Sequence, residues 1–310
     1  MSFLAKVADS SLRSLRAAGR ALVRWSVWFV RFAAHWGWRG AVGLFVIIFL
    51  LGVTGPLVWV LLSSLKTATE IATDPWALPT ALHWENYANA WSGATTNLGQ
   101  AFWNSVMASA GSMLILIPIS AMAAYVFAKY AFPGSKALYT AFLAGMMFPQ
   151  FLVIVPLYIT MVDLNLSDTM QGLILVYIAF SLPFTVFVLT GFFHNLPDEL
   201  AEAAMLDGCG HARTFWRVML PLARPGIIVV TIFNMIGLWN EYNLALVLLT
   251  NEEKFTLPLA LAKLSNTAQY TSDWGAMFAA IVIIMAPVLL VYWLLKEKIQ
   301  EAMLAGAVKG

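Results

Sequence analysis

Residues 197–221 read PDELAEAAMLDGCGHARTFWRVMLP, a polar stretch between the apolar runs 172–192 and 226–249. Pro197 closes the preceding segment and has no N–H to leave orphaned. Asp198 stands where an N-cap is expected, and Glu199 and Glu202 put negative charge near the positive end of a helix. Residues 199–206 are good helix formers. Asp207-Gly208 is a turn signal, because glycine takes a positive φ without steric cost. A second short helix follows, with Phe215, Trp216, Val218 and Met219 as apolar bulk and Arg213 and Arg217 as polar positions. Pro221 is expected to end it. A solvated connector needs neither defined ends nor its own apolar surface, so the stretch reads as a helix–turn–helix built to be touched.

The surroundings say what it stands beside. The chain has 310 residues, 61% of them apolar and 11% charged, against about 25% charged in soluble domains. Charge this sparse, with the apolar residues gathered in long runs, defines an integral membrane protein. Six runs suit membrane-spanning helices, near 41–62, 101–127, 138–161, 172–192, 226–249 and 275–295. They do not alternate as barrel strands must. The expected fold is therefore an all-α bundle of six transmembrane helices. A segment 1–40 precedes the membrane domain 41–296, and a short tail 297–310 follows it.

Lys and Arg fix an expected orientation. Fifteen of the 18 lie in the N-terminal segment, the second and fourth connections and the tail; Lys66, Lys254 and Lys263 lie on the other side. The positive-inside rule puts both termini, and loop 197–221, in the cytoplasm. In residues 12–36, Arg13, Arg16, Arg20, Arg24 and Arg31 share one helical sector opposite Leu15, Leu22, Trp25, Phe29, Ala33 and Trp36. That is the pattern of a basic amphipathic helix lying on anionic membrane lipid, with contact to a partner subunit as the alternative.

Several chemistries are missing. No G-x-x-x-x-G-K-[ST] occurs, so the chain has no P-loop for ATP. There is no G-x-S-x-G, H-E-x-x-H or CxxC, and His35, His83, His194 and His211 form no metal-ligand spacing. Cys209 is the sole cysteine and rules out an internal disulfide. No catalytic residue, metal, cofactor or nucleic-acid partner is expected in this chain.

The loop then carries a resemblance. Glu202-Ala203-Ala204, Gly208, Val218 and Leu220-Pro221 follow E-A-A-x-x-x-G-x(9)-I-x-L-P, the mark of permease subunits of ABC importers, with Val in place of Ile. Further stretches resemble the maltose-type carbohydrate-uptake permeases and, among them, the MalG-like partner: Phe102-Trp103-Asn104-Ser105, AYVFAKYAFPG at 124–134, Pro149 to Leu157, WNEY at 239–242, TLPLAL at 256–261 and AGAVKG at 305–310. The likeness covers nearly everything from about residue 40 onward. It implies the type I importer permease fold in a bacterial inner membrane. It implies that Glu202, Ala203, Ala204, Asp207, Gly208, Val218, Leu220 and Pro221 form a coupling helix that docks on an ATPase. The implied partners are a second, MalF-like permease in a heterodimer, two ATP-binding subunits that hold ATP and Mg, and a solute-binding protein.

The solute path is less defined. The fifth run carries Asn234, Gly237, Trp239, Asn240, Glu241 and Asn243. Glu241 is the one acid placed within a span, at a cost of roughly 2.5–3.5 kcal/mol at mid-membrane, so it should face the bundle interior or water. As one continuous helix, Asn234, Gly237 and Glu241 would share a face. Three readings stand: a lining or gate of the solute path, interhelical hydrogen bonding that locks the bundle, or an ion site that would make the chain a self-contained ion-coupled transporter. Ala101, Ser105 and Ser109 form a small-residue stripe for close packing. Trp76, His83, Trp84, Tyr87 and Trp91 in loop 63–100 suit stacking on a sugar, but contact with a partner permease or a binding protein is the favoured reading. No Lys or Arg lies inside the spans, which favours a neutral sugar as cargo.

Overall fold

The computed structural model describes residues 38–93, 97–271 and 273–307. The amphipathic stretch 12–36 lies outside the described residues. The chain divides into two compact units at Trp59 and Val60. The described part of the first is helical and belongs to α1, Trp38–Ser63, whose most apolar window has no buried residue.

The second unit is all-helical among the described residues. Its opening loop carries α2 (Ala68–Thr73) and α3 (Glu85–Ser92). Thr67 and Glu70 form a reciprocal capping box at α2. The Glu70 carboxyl is held down to about 2 by the Thr80 hydroxyl first, then by the backbone N–H groups of Thr67 and Thr80. Asn86 Nδ2 donates to the carbonyls of Ser64 and Lys66 at 3.0 and 2.9 Å, so this loop is built rather than slack. Its aromatics partly pack at home: the Trp91 ring meets Phe102 and Trp84 meets Tyr87.

The bundle follows: α4 (Leu98–Lys129), α5 (Ser135–Met147), α6 (Gln150–Asp163), α7 (Met170–His194), α8 (Glu199–Leu206), α9 (His211–Leu222), α10 (Arg224–Trp239), α11 (Asn243–Leu248), α12 (Leu257–Thr271) and α13 (Trp274–Ala307). The 32 residues of α4 span roughly 48 Å at 1.5 Å per residue, and α4 packs along α7. Small residues permit this: Ala108, Ser112, Ala121 and Ala124 are buried, and a Cβ on Gly111 would lie 3.1 Å from Ile174. The Ala101–Ser105–Ser109 stripe is buried as expected, and Ser105 Oγ accepts the Leu257 N–H at 2.8 Å where α12 begins.

Of the expected spans, α1, α4, α7 and Trp274–Glu297 of α13 are single helices long and apolar enough to cross a bilayer. Two bent pairs, α5–α6 at 102° and α9–α10 at 74°, pass the same length and composition test only when each is taken together, as a broken span or a re-entrant loop. The expected third span, 138–161, is thus broken. Phe148 takes ψ 122, because a residue before proline is driven out of helical geometry, and Pro149 follows at ψ 125. The expected fifth span, 226–249, is also interrupted: α10 stops at Trp239 and α11 restarts at Asn243. Non-helical backbone at membrane depth needs internal partners, and side chains of the break supply them.

Candidate functional site

Loop 197–221 folds as two arms. Gly208 sits at φ 84 between them, the conformation that needs glycine. Ala201 of α8 and Phe215 and Met219 of α9 are buried in one core with Tyr125, Leu189 and Phe193, and Val218 and Leu220 pack against it; Ala204 of α8 is buried as well. The opposite surface carries Glu202, Ala203, Met205, Leu206 and Asp207, all exposed, with Leu206 89% exposed. Ala204 is therefore covered within this chain, and Ala203 faces out. α9 runs through Pro221 to Leu222 instead of ending at the proline. A wide turn at Phe215–Met219, where the Leu220 N–H reaches the Phe215 carbonyl, precedes a residue that has no N–H to give.

Asp198 makes no side-chain cap on α8. Its carboxylate instead takes the Lys129 ammonium at 2.6 Å, which holds the Asp198 carboxyl below its usual range. Lys129 also donates to the Leu196 carbonyl, and the next residue, Tyr130, shares a 2.9 Å hydrogen bond with His211 Nδ1. The end of α4 thus grips both arms, one through Lys129–Asp198 and one through Tyr130–His211. No local sequence signal announced this; only the position of Lys129 at the end of an apolar run pointed to a boundary.

The second constellation is the break between α10 and α11. Asn240 Nδ2 donates to the Ile236 carbonyl at 2.8 Å, satisfying the end of α10. The Glu241 carboxylate accepts the Leu244 and Ala245 N–H groups at 2.7 and 3.1 Å and the Tyr177 hydroxyl at 3.0 Å, with Gln150 Nε2 at 3.5 Å. One residue therefore caps α11 and ties it to α7 and to the α5–α6 bend. Tyr177 and Gln150 carry no sequence pattern that marks them.

The presumed common face of Asn234, Gly237 and Glu241 divides. Asn234 is buried and donates to Thr185 Oγ1 at 2.9 Å and to the Val230 carbonyl, locking α10 onto α7. Trp239 is buried and donates from Nε1 to the Ile284 carbonyl at 3.2 Å. Phe233, Gly237 and Asn240 are exposed instead, and their i, i+4, i+7 spacing makes one stripe. Asn243 is half-buried at the start of α11. Among the described residues, no group of His, Cys, Asp and Glu is arranged to hold a metal ion.

A bundle of whole and broken spans, with an arm-and-turn loop gripped by one of them and polar groups at a mid-bundle break, is the build of a multi-pass membrane transport subunit. The chain belongs to the family of binding-protein-dependent transport system inner membrane components, which it matches over residues 116–297. Among its relatives, the diacetylchitobiose uptake system permease protein NgcG of Streptomyces coelicolor is 45% identical over 251 residues, covering 81% of this chain and 82% of the relative. The trehalose transport system permease protein SugB of Mycobacterium tuberculosis is 32% identical over 255 residues, covering 82% and 92%. In fold, the chain is similar to a bacterial ABC transporter involved in the import of the acidic polysaccharide alginate, with TM-score 0.72, 23% identity and coverage of 86% and 97%. The chain is thus a multi-pass membrane component of the binding-protein-dependent transport class.

Proposed function

We propose that this chain forms half of the transmembrane path of an ATP-driven importer for a neutral oligosaccharide delivered by a solute-binding protein, and that loop 197–221 receives the motion of the ATPases. The membrane domain is 41–296, both termini are cytoplasmic, and the segments 1–40 and 297–310 flank it on that side. The other half of the path is a second, MalF-like permease, and two further subunits bind ATP and Mg. Diacetylchitobiose, named for the relative at 45% identity, is the first solute to try.

The observation that carries this reading is the two-sidedness of the loop. Its inner side has a packed core continuous with α4 and α7, and its outer side presents Ala203, Met205 and Leu206 beside Glu202. An apolar tip on a braced arm, outside the bilayer, fits a protein partner and not lipid. A rigid arm held at both ends carries a rigid-body motion into the spans. Asn240 and Asn243 offer polarity to the path and Gly237 leaves room beside them, while Asn234, Trp239 and Glu241 hold the shape around it. Glu202→Lys reverses charge on the exposed side without touching the core. It is expected to weaken capture of the ATP-binding subunits in a pull-down by tenfold or more, about 1.4 kcal/mol. Undiminished capture counts against the docking role.

A further inference from the structure

We infer that the cavity at the far end of α4 from loop 197–221 is an outer subsite of this subunit for a neutral oligosaccharide, selective against acidic ones. The inference rests on the carbohydrate-import reading and on the orientation proposed above. The cavity measures about 800 Å³ and lies between the first turns of α4, the start of α7 and residues 252–255. Small-molecule sites run from about 300 to 1,000 Å³, so a disaccharide fits.

Its chemistry is amide-rich and charge-balanced. Asn97, Gln100 and Gln171 line it with carboxamides, and Glu253 adds a carboxylate-bearing residue. Both lysines of the lining are already paired, Lys254 with Asp168 at 2.9 Å and Lys263 with Glu252. Carboxamides both donate to and accept from sugar hydroxyls. A uronate needs unpaired positive charge, and here each cation meets a carboxylate first.

The wall is also held in place before any solute arrives. Asp168 Oδ1 accepts the N–H groups of Thr250 and Asn251 at 2.9 and 3.0 Å, and its own N–H donates to the Leu248 carbonyl at 2.8 Å. Burial pushes the Asp168 carboxyl up, but the Asn251 N–H, the Lys254 ammonium and the Thr250 N–H outweigh it and hold the group at about 2. From the other side, Asn104 Nδ2 donates to the carbonyls of Glu253 and Phe255 at 2.7 and 3.0 Å. Segment 249–256 is thus clasped by the α6–α7 connection and by α4. A wall already ordered costs little entropy when a ligand binds.

The test uses the assembled importer in vesicles with its loaded binding protein at saturation. Gln171 is exposed, so Gln171→Trp fills the cavity and Gln171→Ala only strips its amide. Diacetylchitobiose uptake should fall roughly tenfold in Gln171→Trp and severalfold in Gln171→Ala, the scale of one or two lost hydrogen bonds. The binding-protein concentration that half-maximally stimulates ATP hydrolysis should stay unchanged in both. Glu252→Gln frees Lys263 and should raise uptake of an oligomeric uronate relative to diacetylchitobiose. If the wild-type importer moves neutral sugars and the variants match it, the subsite is wrong and the carbohydrate reading stands. If the half-maximal binding-protein concentration shifts in step with uptake, the cavity is a docking recess for that protein and the proposal is overturned. If the wild-type assembly moves no saccharide, both readings fall.

Discussion

Removing the Glu241 carboxylate would strip the N–H groups of Leu244 and Ala245 and the Tyr177 hydroxyl of their acceptor. A buried polar group left without a partner costs about 1–3 kcal/mol. Glu241→Ala is therefore expected to lower the unfolding temperature of the purified assembly by a few degrees, since about 1 kcal/mol moves it by roughly 2–4 °C in domains of about 150–250 residues and by less in larger ones. Glu241→Gln should cost less, because its amide oxygen still accepts one N–H and the Tyr177 hydroxyl can reverse its role. Thermal unfolding and solute competition, measured on the same preparations, separate the two roles of this residue. Loss of stability with solute preference intact fits the brace seen in the geometry. Unchanged stability with altered preference would make Glu241 a solute contact. The sequence marked Glu241 correctly as an acid needing interior partners, through its cost in a membrane. It did not reveal those partners: Tyr177 lies 64 positions away in the chain, and the Leu244 and Ala245 N–H groups need an acceptor only because the span breaks before them.

At the scale of elements, the helix–turn–helix of 197–221 was legible because its signals are local: a proline, good helix formers, and one glycine that must turn. The breaks within the spans were only half legible. Pro149 marks the first by its chemistry, but α10 ends where side chains from α7 and α6 help to stabilise the gap, and periodicity reads no such contact. The grip of Lys129 and Tyr130 on the two arms was invisible for the same reason. Gly208 tests the turn. A Cβ there would meet nothing within 4 Å, so the cost of Gly208→Val is backbone strain at positive φ, about 1–2 kcal/mol. The variant is expected to fold and hydrolyse ATP while uptake per ATP falls about tenfold, the effect of about 1.4 kcal/mol on a two-state equilibrium; parallel assays of hydrolysis and uptake read this directly, and unchanged uptake would remove the lever. The exposed stripe on α10 has its own test. In a Cys209→Ser background, Gly237→Cys and Asn240→Cys should react with a water-soluble maleimide in the assembled importer, whereas Leu289→Cys, on the exposed apolar face of α13, should be shielded by lipid. Equal labelling at all three positions would take the stripe out of the water path.

For the whole molecule, two facts bear on whether the chain works alone. It has no P-loop, and the proposed function places the ATP-driven step in partner subunits. Its α10 stripe also exposes the Asn240 side chain within an apolar bundle, and an amide facing hydrocarbon without a full set of partners is costly. A facing permease with water between the two halves removes that cost; lipid does not. On the proposed reading the chain supplies one wall of a path and draws its energy from its partners. Vesicles containing only this chain are expected to show no solute uptake above protein-free vesicles, with ATP or with an imposed proton gradient. Vesicles containing it with a second permease and the ATP-binding subunits should take up solute when ATP and loaded binding protein are supplied, and stop when ATP is withheld. The alternative, a self-contained transporter with Glu241 as its ion site, requires the reverse: uptake by the chain alone, driven by the proton gradient and abolished in Glu241→Gln. In the structure that carboxylate already serves two backbone N–H groups and a tyrosine hydroxyl, so protonating it would loosen the start of α11 as well as discharge the site. Gradient-driven uptake by the isolated chain would overturn the shared-path reading, however well the loop binds an ATPase.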